Sequence, residues 1–220
     1  MKKRILSILL LCCMVLTLLP TTVLAADGPM DTIPKYDVSI DVYNRTSDIS
    51  IKDSRSYYIY SSVPDKLRDT WAWDKKIFIK GDKTAPHVFI DGVNIKMSPS
   101  SKGPAIELNK KASAYLYFIG KDSTLQGADG RAAIQKNRSE GQLYVLARTG
   151  TTVTCKGGYR AAGIGGSWAI RNIGDSMFNM DMYGHGVNMH FGSQSNPDYW
   201  GGTINATGGE YGAGIGAGSW

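Results

Sequence analysis

Short apolar strings separated by polar turns recur from residue 49 onward, at a nearly constant step. Strings centred on Ile51, Ile79, Ile106, Ile134 and Ile164 stand 28, 27, 28 and 30 residues apart. A second series keeps the step in Tyr58–Tyr60, Val88–Ile90, Leu116–Phe118 and Leu143–Val145. A third follows in Val93–Ile95, Thr124–Leu125 and Thr152–Thr154. Side chains alternate within the strings, as in Ile77 and Ile79 about Phe78, which is the period of a half-buried strand. Three short strands per step, each followed by Gly, Asn, Asp or Lys, predict one winding of a parallel β-solenoid. Stacked windings lay equivalent residues over one another at about 4.8 Å. The five isoleucines then form one apolar row, with Ala133, Gly163 and Gly214 beside it at tight corners. Helical periodicity is nearly absent: Lys66 to Asp74 is short and reads as a loop between windings. The fold class expected is all-β, a right-handed parallel β-helix.

Residues 150–166 and 201–217 match at eight of 17 positions, at an offset of 51. That offset predicts one winding carrying a loop excursion near Gly184 to Trp200. Between the copies, Phe178, Met180 and Met182 form the clear strand-like set. Tyr36 to Tyr43, with Val38, Ile40 and Val42 alternating against Asp37, Ser39 and Asp41, reads as a cap strand or first winding. The sequence stops at Gly218, Ser219 and Trp220, inside a repeat motif, which predicts the front of a longer polypeptide or a truncated reading frame.

The start of the chain breaks the pattern. Lys2, Lys3 and Arg4 precede an almost unbroken apolar run from Ile5 to Leu19, then Pro20 and the small residues of a cleavage site ending at Ala25. This predicts a secretory signal peptide over 1–25, too short for a stable membrane span. Residues 26–46 then form a linker and cap strand, 47–220 the β-helix, and the mature chain is exported with no membrane span. Losing three cations takes the formal charge from +6 to +3, which leaves no basic face for nucleic acid. Cys12 and Cys13 leave with the signal, so Cys155 stands alone and no internal disulfide forms.

Residues 49–60, then Val88 to Ile95, Pro104 to Ile106 and Leu116 to Leu125, resemble the polysaccharide-binding parallel β-helix proteins of clostridia, which are pectate-lyase-like in fold. The glycine-rich repeats at 157–165 and 208–216 are similar to those of large surface proteins from gut Firmicutes. The resemblance implies carbohydrate binding or surface adhesion, with a polysaccharide or cell-surface glycan as partner and calcium as a cofactor in some members. No acidic cluster here matches calcium ligands.

Aromatic residues are the most suggestive chemistry. Trp71, Trp73, Trp168, Tyr199 and Trp200, with Tyr115 and Tyr117, fall in loops or at outward positions. Sugar rings stack on aromatic planes while neighbouring polar groups bond their hydroxyls. The plainer expectation is that such rings plug loops against the solenoid wall. Other signals are weaker. Residues 212–217 satisfy a dinucleotide-binding glycine pattern, but no helix can follow it and the string is a repeat element. His185, His190 and Asp181 have spacings that a zinc site allows, but in a strand or loop separations of four and five put the side chains on different faces, so ordinary surface histidines are expected. Asp91, Asp122, Asp129, Asp175 and Asp181 sit at turns, where Asp belongs for structural reasons. The expected role is a non-catalytic carbohydrate-binding or adhesin segment. A polysaccharide lyase or hydrolase and a structural stalk are the alternatives.

Overall fold

The computed structural model describes residues 34–98, 103–137, 139–168, 186–192 and 199–218. Among these the chain is all-β, with a single 3-10 turn at Asp65–Leu67. The first sheet holds β1 (Val38–Asp41), β3 (Ser56–Tyr60), β5 (His87–Asp91), β8 (Ala114–Ile119), β11 (Leu143–Ala147) and β14 (Met189–Phe191), in that order. The second holds β2 (Ile49–Ile51), β4 (Ile77–Lys80), β7 (Ile106–Asn109), β10 (Ile134–Lys136), β13 (Ile164–Gly165) and β16 (Ile215–Gly216). The third holds β6 (Asn94–Lys96), β9 (Ser123–Gln126), β12 (Thr152–Lys156) and β15 (Thr203–Thr207). All pairings are parallel, and the chain visits the first, third and second sheets in turn. Four complete windings result, the last being β14, β15 and β16, preceded by two that lack a full third-sheet strand. No helix among the described residues is long and apolar enough to cross a membrane.

The core is a set of rows running across the windings. In the second sheet Ile49, Ile77, Ile106, Ile134, Ile164 and Ile215 stand in register. Ile51 and Ile79 belong to the neighbouring inward row, with Leu108 and Lys136. The row expected from sequence is therefore shifted by two residues in β2 and β4. Both isoleucines of each strand point inward, so alternation alone could not choose between them. In the first sheet Val88, Leu116 and Val145 form one inward row and Ile59, Ile90, Phe118 and Ala147 another. In the third, Ile95, Leu125, Cys155 and Ala206 align. Ile215 is 47% exposed, and each fully buried isoleucine, leucine or valine in these rows contributes roughly 1.5–3 kcal/mol of transfer free energy.

Between strands the backbone ladder is interrupted, and short side chains take its place. The amide of Lys121 donates to Asp91 Oδ1 at 2.8 Å, and that of Thr152 to Asp122 Oδ1 at 2.7 Å. Thr124 N donates to Asn94 Oδ1, and Lys76 N to Asp48 Oδ1, both at 3.0 Å. Each carboxylate or amide thus satisfies a corner amide one winding further on. Glycine serves the same corners by omission. A Cβ on Gly158 would lie 1.9 Å from Ala128 O, and one on Gly209 would lie 1.9 Å from Gly158 O.

The offset of 51 spans a single winding, because β12 pairs directly with β15 and β13 with β16. The first-sheet strand of that winding is β14, inside the segment expected to be a loop. Phe178, Met180 and Met182 lie outside the described residues. Tyr36 to Tyr43 supplies β1, which joins the first sheet as its edge strand. Lys66 to Asp74 begins in the 3-10 turn and continues as a loop, apart from the single bridge of Trp73 to Ile95.

Candidate functional site

Outward positions of the first sheet carry aromatic side chains in register. One row runs from Ser56 through His87, Tyr115, Tyr144 and His190. Its rings stack face to face: His87 on Tyr115 at 4.6 Å and 6°, Tyr115 on Tyr144 at 4.6 Å and 9°, Tyr144 on His190 at 4.4 Å and 14°. A centroid spacing close to the inter-strand distance is what identical rotamers on neighbouring parallel strands produce. The row beside it runs through Ser39, Tyr58, Phe89, Tyr117 and Leu146. Phe89 stacks on Tyr117 at 4.9 Å, and Tyr36 and Tyr60 each stack on Tyr58.

Neither row contains Lys, Arg, Asp or Glu. The third outward row holds Asp41, Tyr60, Asp91 and Ile119, and both of its carboxylates are engaged. Asp91 accepts from Tyr58 Oη at 2.9 Å as well as from Lys121 N. Asp41 accepts from the amides of Tyr43 and Ser62 and from the Ser62 hydroxyl. His87 Nδ1 lies 3.0 Å from Tyr117 Oη, and the Nε2–H of His190 donates to Gln142 Oε1 at 2.7 Å. Burial pushes the Tyr117 phenol up to about 12 and raises that of Tyr58 further, helped there by the Asp91 carboxylate. Tyr115 and Tyr144 are half-buried, with their ring edges outward.

The residues singled out from sequence separate into four environments. Trp200 tilts against Tyr117 at 5.1 Å and 41°, and meets Tyr199 edge to face at 4.6 Å. This pair joins the aromatic face at its corner with the third sheet. Trp71 is half-buried, set edge-on to Tyr43 at 5.4 Å and against the core. Trp168 faces its own chain's cation, because the Arg160 guanidinium lies 5.2 Å from its ring and from that of Tyr159. Trp73 is only 3% exposed. It bridges Ile95 as the first rung of the third sheet, and its Nε1–H donates to Arg45 O at 2.8 Å. A ring so enclosed offers no surface to a sugar, so Trp73 belongs to the core and not to a binding platform. His87, Tyr144 and His190 were not singled out as glycan contacts. Part of the signal was present: one position back from Val88 and Leu116 stand His87 and Tyr115, and Tyr144 is the middle residue of Leu143–Val145.

Elsewhere the polar clusters are small. Lys76 Nζ donates to Glu107 Oε2 at 2.5 Å, Asn137 Nδ2 donates to Glu107 Oε1 at 2.8 Å, and Gln135 bonds Asn137. A cavity of about 400 Å³ beside this chain is lined by Asp48, Asp74, Lys75, Lys76, Met97, Ser98 and Gly103. Its carboxylates are occupied: Asp48 accepts the Lys76 amide and Asp74 pairs with Lys75. Among the described residues no three His, Cys, Asp or Glu side chains converge as a metal site would require. His185, Asp175 and Asp181 lie outside the described residues. Cys155 is buried in the core and desolvation pushes its thiol up to about 12, the opposite of an activated nucleophile.

Comparisons with protein-family models, with curated proteins and with solved structures gave no significant match for this chain.

Proposed function

We propose that the chain is an exported, non-catalytic glycan-binding segment of a secreted or cell-surface protein. In this reading residues 1–25 are a signal peptide and the solenoid is right-handed, as parallel crossovers overwhelmingly are. The observation that carries the proposal is the aromatic outer face of the first sheet, held in register across successive windings and extended by Tyr199 and Trp200. Rows of rings flanked by hydroxyl and amide groups suit the alternating apolar and polar character of sugars. The resemblance to clostridial polysaccharide-binding β-helices points the same way. A glycan array probed with the mature chain tests it. Binding that falls on Tyr144→Ala and on Trp200→Ala supports this face as the site; binding that ignores both substitutions places the site elsewhere.

A second reading is a structural stalk, favoured by one observation. Both faces of Tyr115 and of Tyr144 are taken by neighbouring rings. Such a stack stiffens the column without any ligand, and this reading predicts an array with no hits.

A further inference from the structure

The ligand class can be taken further, on the premise that the aromatic face binds glycan. In the row His87, Tyr115, Tyr144, His190 each inner ring is covered on both faces, so no sugar can lie flat on Tyr115 or Tyr144. Their outward surface is a ridge of ring edges, in which the hydroxyls of Tyr115 and Tyr144 follow one another at one winding per step. Neither hydroxyl has a protein partner among the described residues, whereas His87 and His190 are tied to Tyr117 and Gln142. The ridge runs along the solenoid axis, across the strands. The two aromatic rows contain no Lys, Arg, Asp or Glu; before β8 and β11 Lys111 pairs with Glu140, and in the third outward row Asp41 and Asp91 accept from Ser62, Lys121 and Tyr58. An anionic polysaccharide would meet no Lys or Arg in these rows, the exposed Lys111 before β8 being paired with Glu140, and burying its carboxylates unpaired would be costly.

We infer that the site takes an extended, unbranched, neutral polysaccharide lying parallel to the solenoid axis, hydrogen-bonded in succession by Tyr115 and Tyr144. Successive windings then meet successive stretches of one chain, and Trp200 flanks the track with a ring tilted against Tyr117. A branch would lift the chain off the ridge, and a chain laid along one strand would meet only one of the two hydroxyls.

The test is affinity electrophoresis of the full chain in gels containing a linear neutral β-glucan, a linear mannan, a heavily branched galactomannan or polygalacturonate. The double variant Tyr115→Phe with Tyr144→Phe removes the hydroxyls and keeps the stack, and its unfolding midpoint confirms that the fold is intact. Expected are retention by a linear neutral polymer, none by polygalacturonate, and about a tenfold loss of affinity in the double variant, the equivalent of one or two hydrogen bonds. Preferential retention by polygalacturonate or by the branched polymer overturns the inference. So does an unchanged affinity in the double variant, and if Trp200→Ala then abolishes binding, glycan binding itself stands. No retention by any polymer, with no hit on the array, overturns both.

Discussion

Tyr115 and Tyr144 stand on neighbouring strands with their rings 4.6 Å apart and inclined by only 9°. Tyr144 is sandwiched, since His190 stacks on its other face. Tyr144→Ala removes two ring pairs and leaves a gap in the row. With each pair contributing about 0.5–1.5 kcal/mol beyond area burial, the loss should be roughly 1–3 kcal/mol. Tyr144→Phe keeps the stack and should cost under about 0.5 kcal/mol. Urea denaturation midpoints of the two variants check the difference; equal effects would show that the stack contributes little to stability.

Gly158 carries a second prediction. Its missing Cβ leaves room for Ala128 O, 1.9 Å from where that atom would sit. The nearest atoms, Ala128 O, Ala128 C and Asp129 Cα, are all backbone, so relief requires the windings to separate, at about 3 kcal/mol or more. Gly150 is the control: no atom lies within 4 Å of its Cβ position, and only its φ of +84° opposes a side chain. Gly150→Ala should cost about 1–2 kcal/mol. Thermal unfolding should rank Gly158→Ala well below Gly150→Ala.

Lys136 occupies an inward row in register with Leu108, and its ammonium donates to Ser139 O at 2.9 Å. Burial lowers its pKa below the ordinary 10.5, and the nearby Glu140 offsets this only in part. The unfolded chain therefore binds more protons than the folded one between the lowered pKa and 10.5. Across that window stability rises with pH as the buried charge is discharged. The buried phenols of Tyr58 and Tyr117 act oppositely above pH 10, so the wild-type curve alone is a mixture. The difference between wild type and Lys136→Met isolates the lysine. The wild type should gain on the variant as pH rises from 8 to 10.5, and a constant difference would contradict the burial of the charge.

Cys155 should be silent toward iodoacetamide at pH 8 in the folded protein and react fully in denaturant, as burial and a thiol pKa near 12 require. Mass spectrometry after a timed exposure reads both states. Rapid native labelling would mean that the third sheet opens at Cys155.

The winding was legible in the sequence because the solenoid repeats one physical problem, burying three alternating strands per turn. The step of 27 to 30 residues, the corner residues and the identity of Cys155 and Ala206 as equivalent rungs all follow from it. Three things were hidden. The exact row of Ile49 and Ile77 was ambiguous, because the strand has two inward isoleucines. Trp73 looked like a loop aromatic beside Trp71, yet its backbone pairs with Ile95 and its indole N–H bonds Arg45 O, contacts that nothing in the local pattern announces. The aromatic row was hidden because its histidines and tyrosines come from strands 28, 29 and 46 residues apart, the last step lengthened by the insertion before β14. Of the candidate binding residues, Tyr199 and Trp200 came together with Tyr117, while Trp71 and Trp168 lie on other parts of the surface.

The register of the windings is the claim on which the rows, the ridge and its proposed ligand all depend, and paired cysteines measure it directly. Thr124 and Thr154 face outward and are partners in neighbouring strands. In a Cys155→Ala background, Thr124→Cys with Thr154→Cys places the two Cα atoms about 4.8 Å apart, within disulfide reach. Pairing Thr124→Cys with Thr152→Cys instead, two residues out of register, separates them by about 8 Å, beyond it. Rapid oxidation of the first pair, with the second remaining as free thiols, is the predicted result. Efficient closure of the second pair in preference to the first would contradict the register and the aromatic row with it.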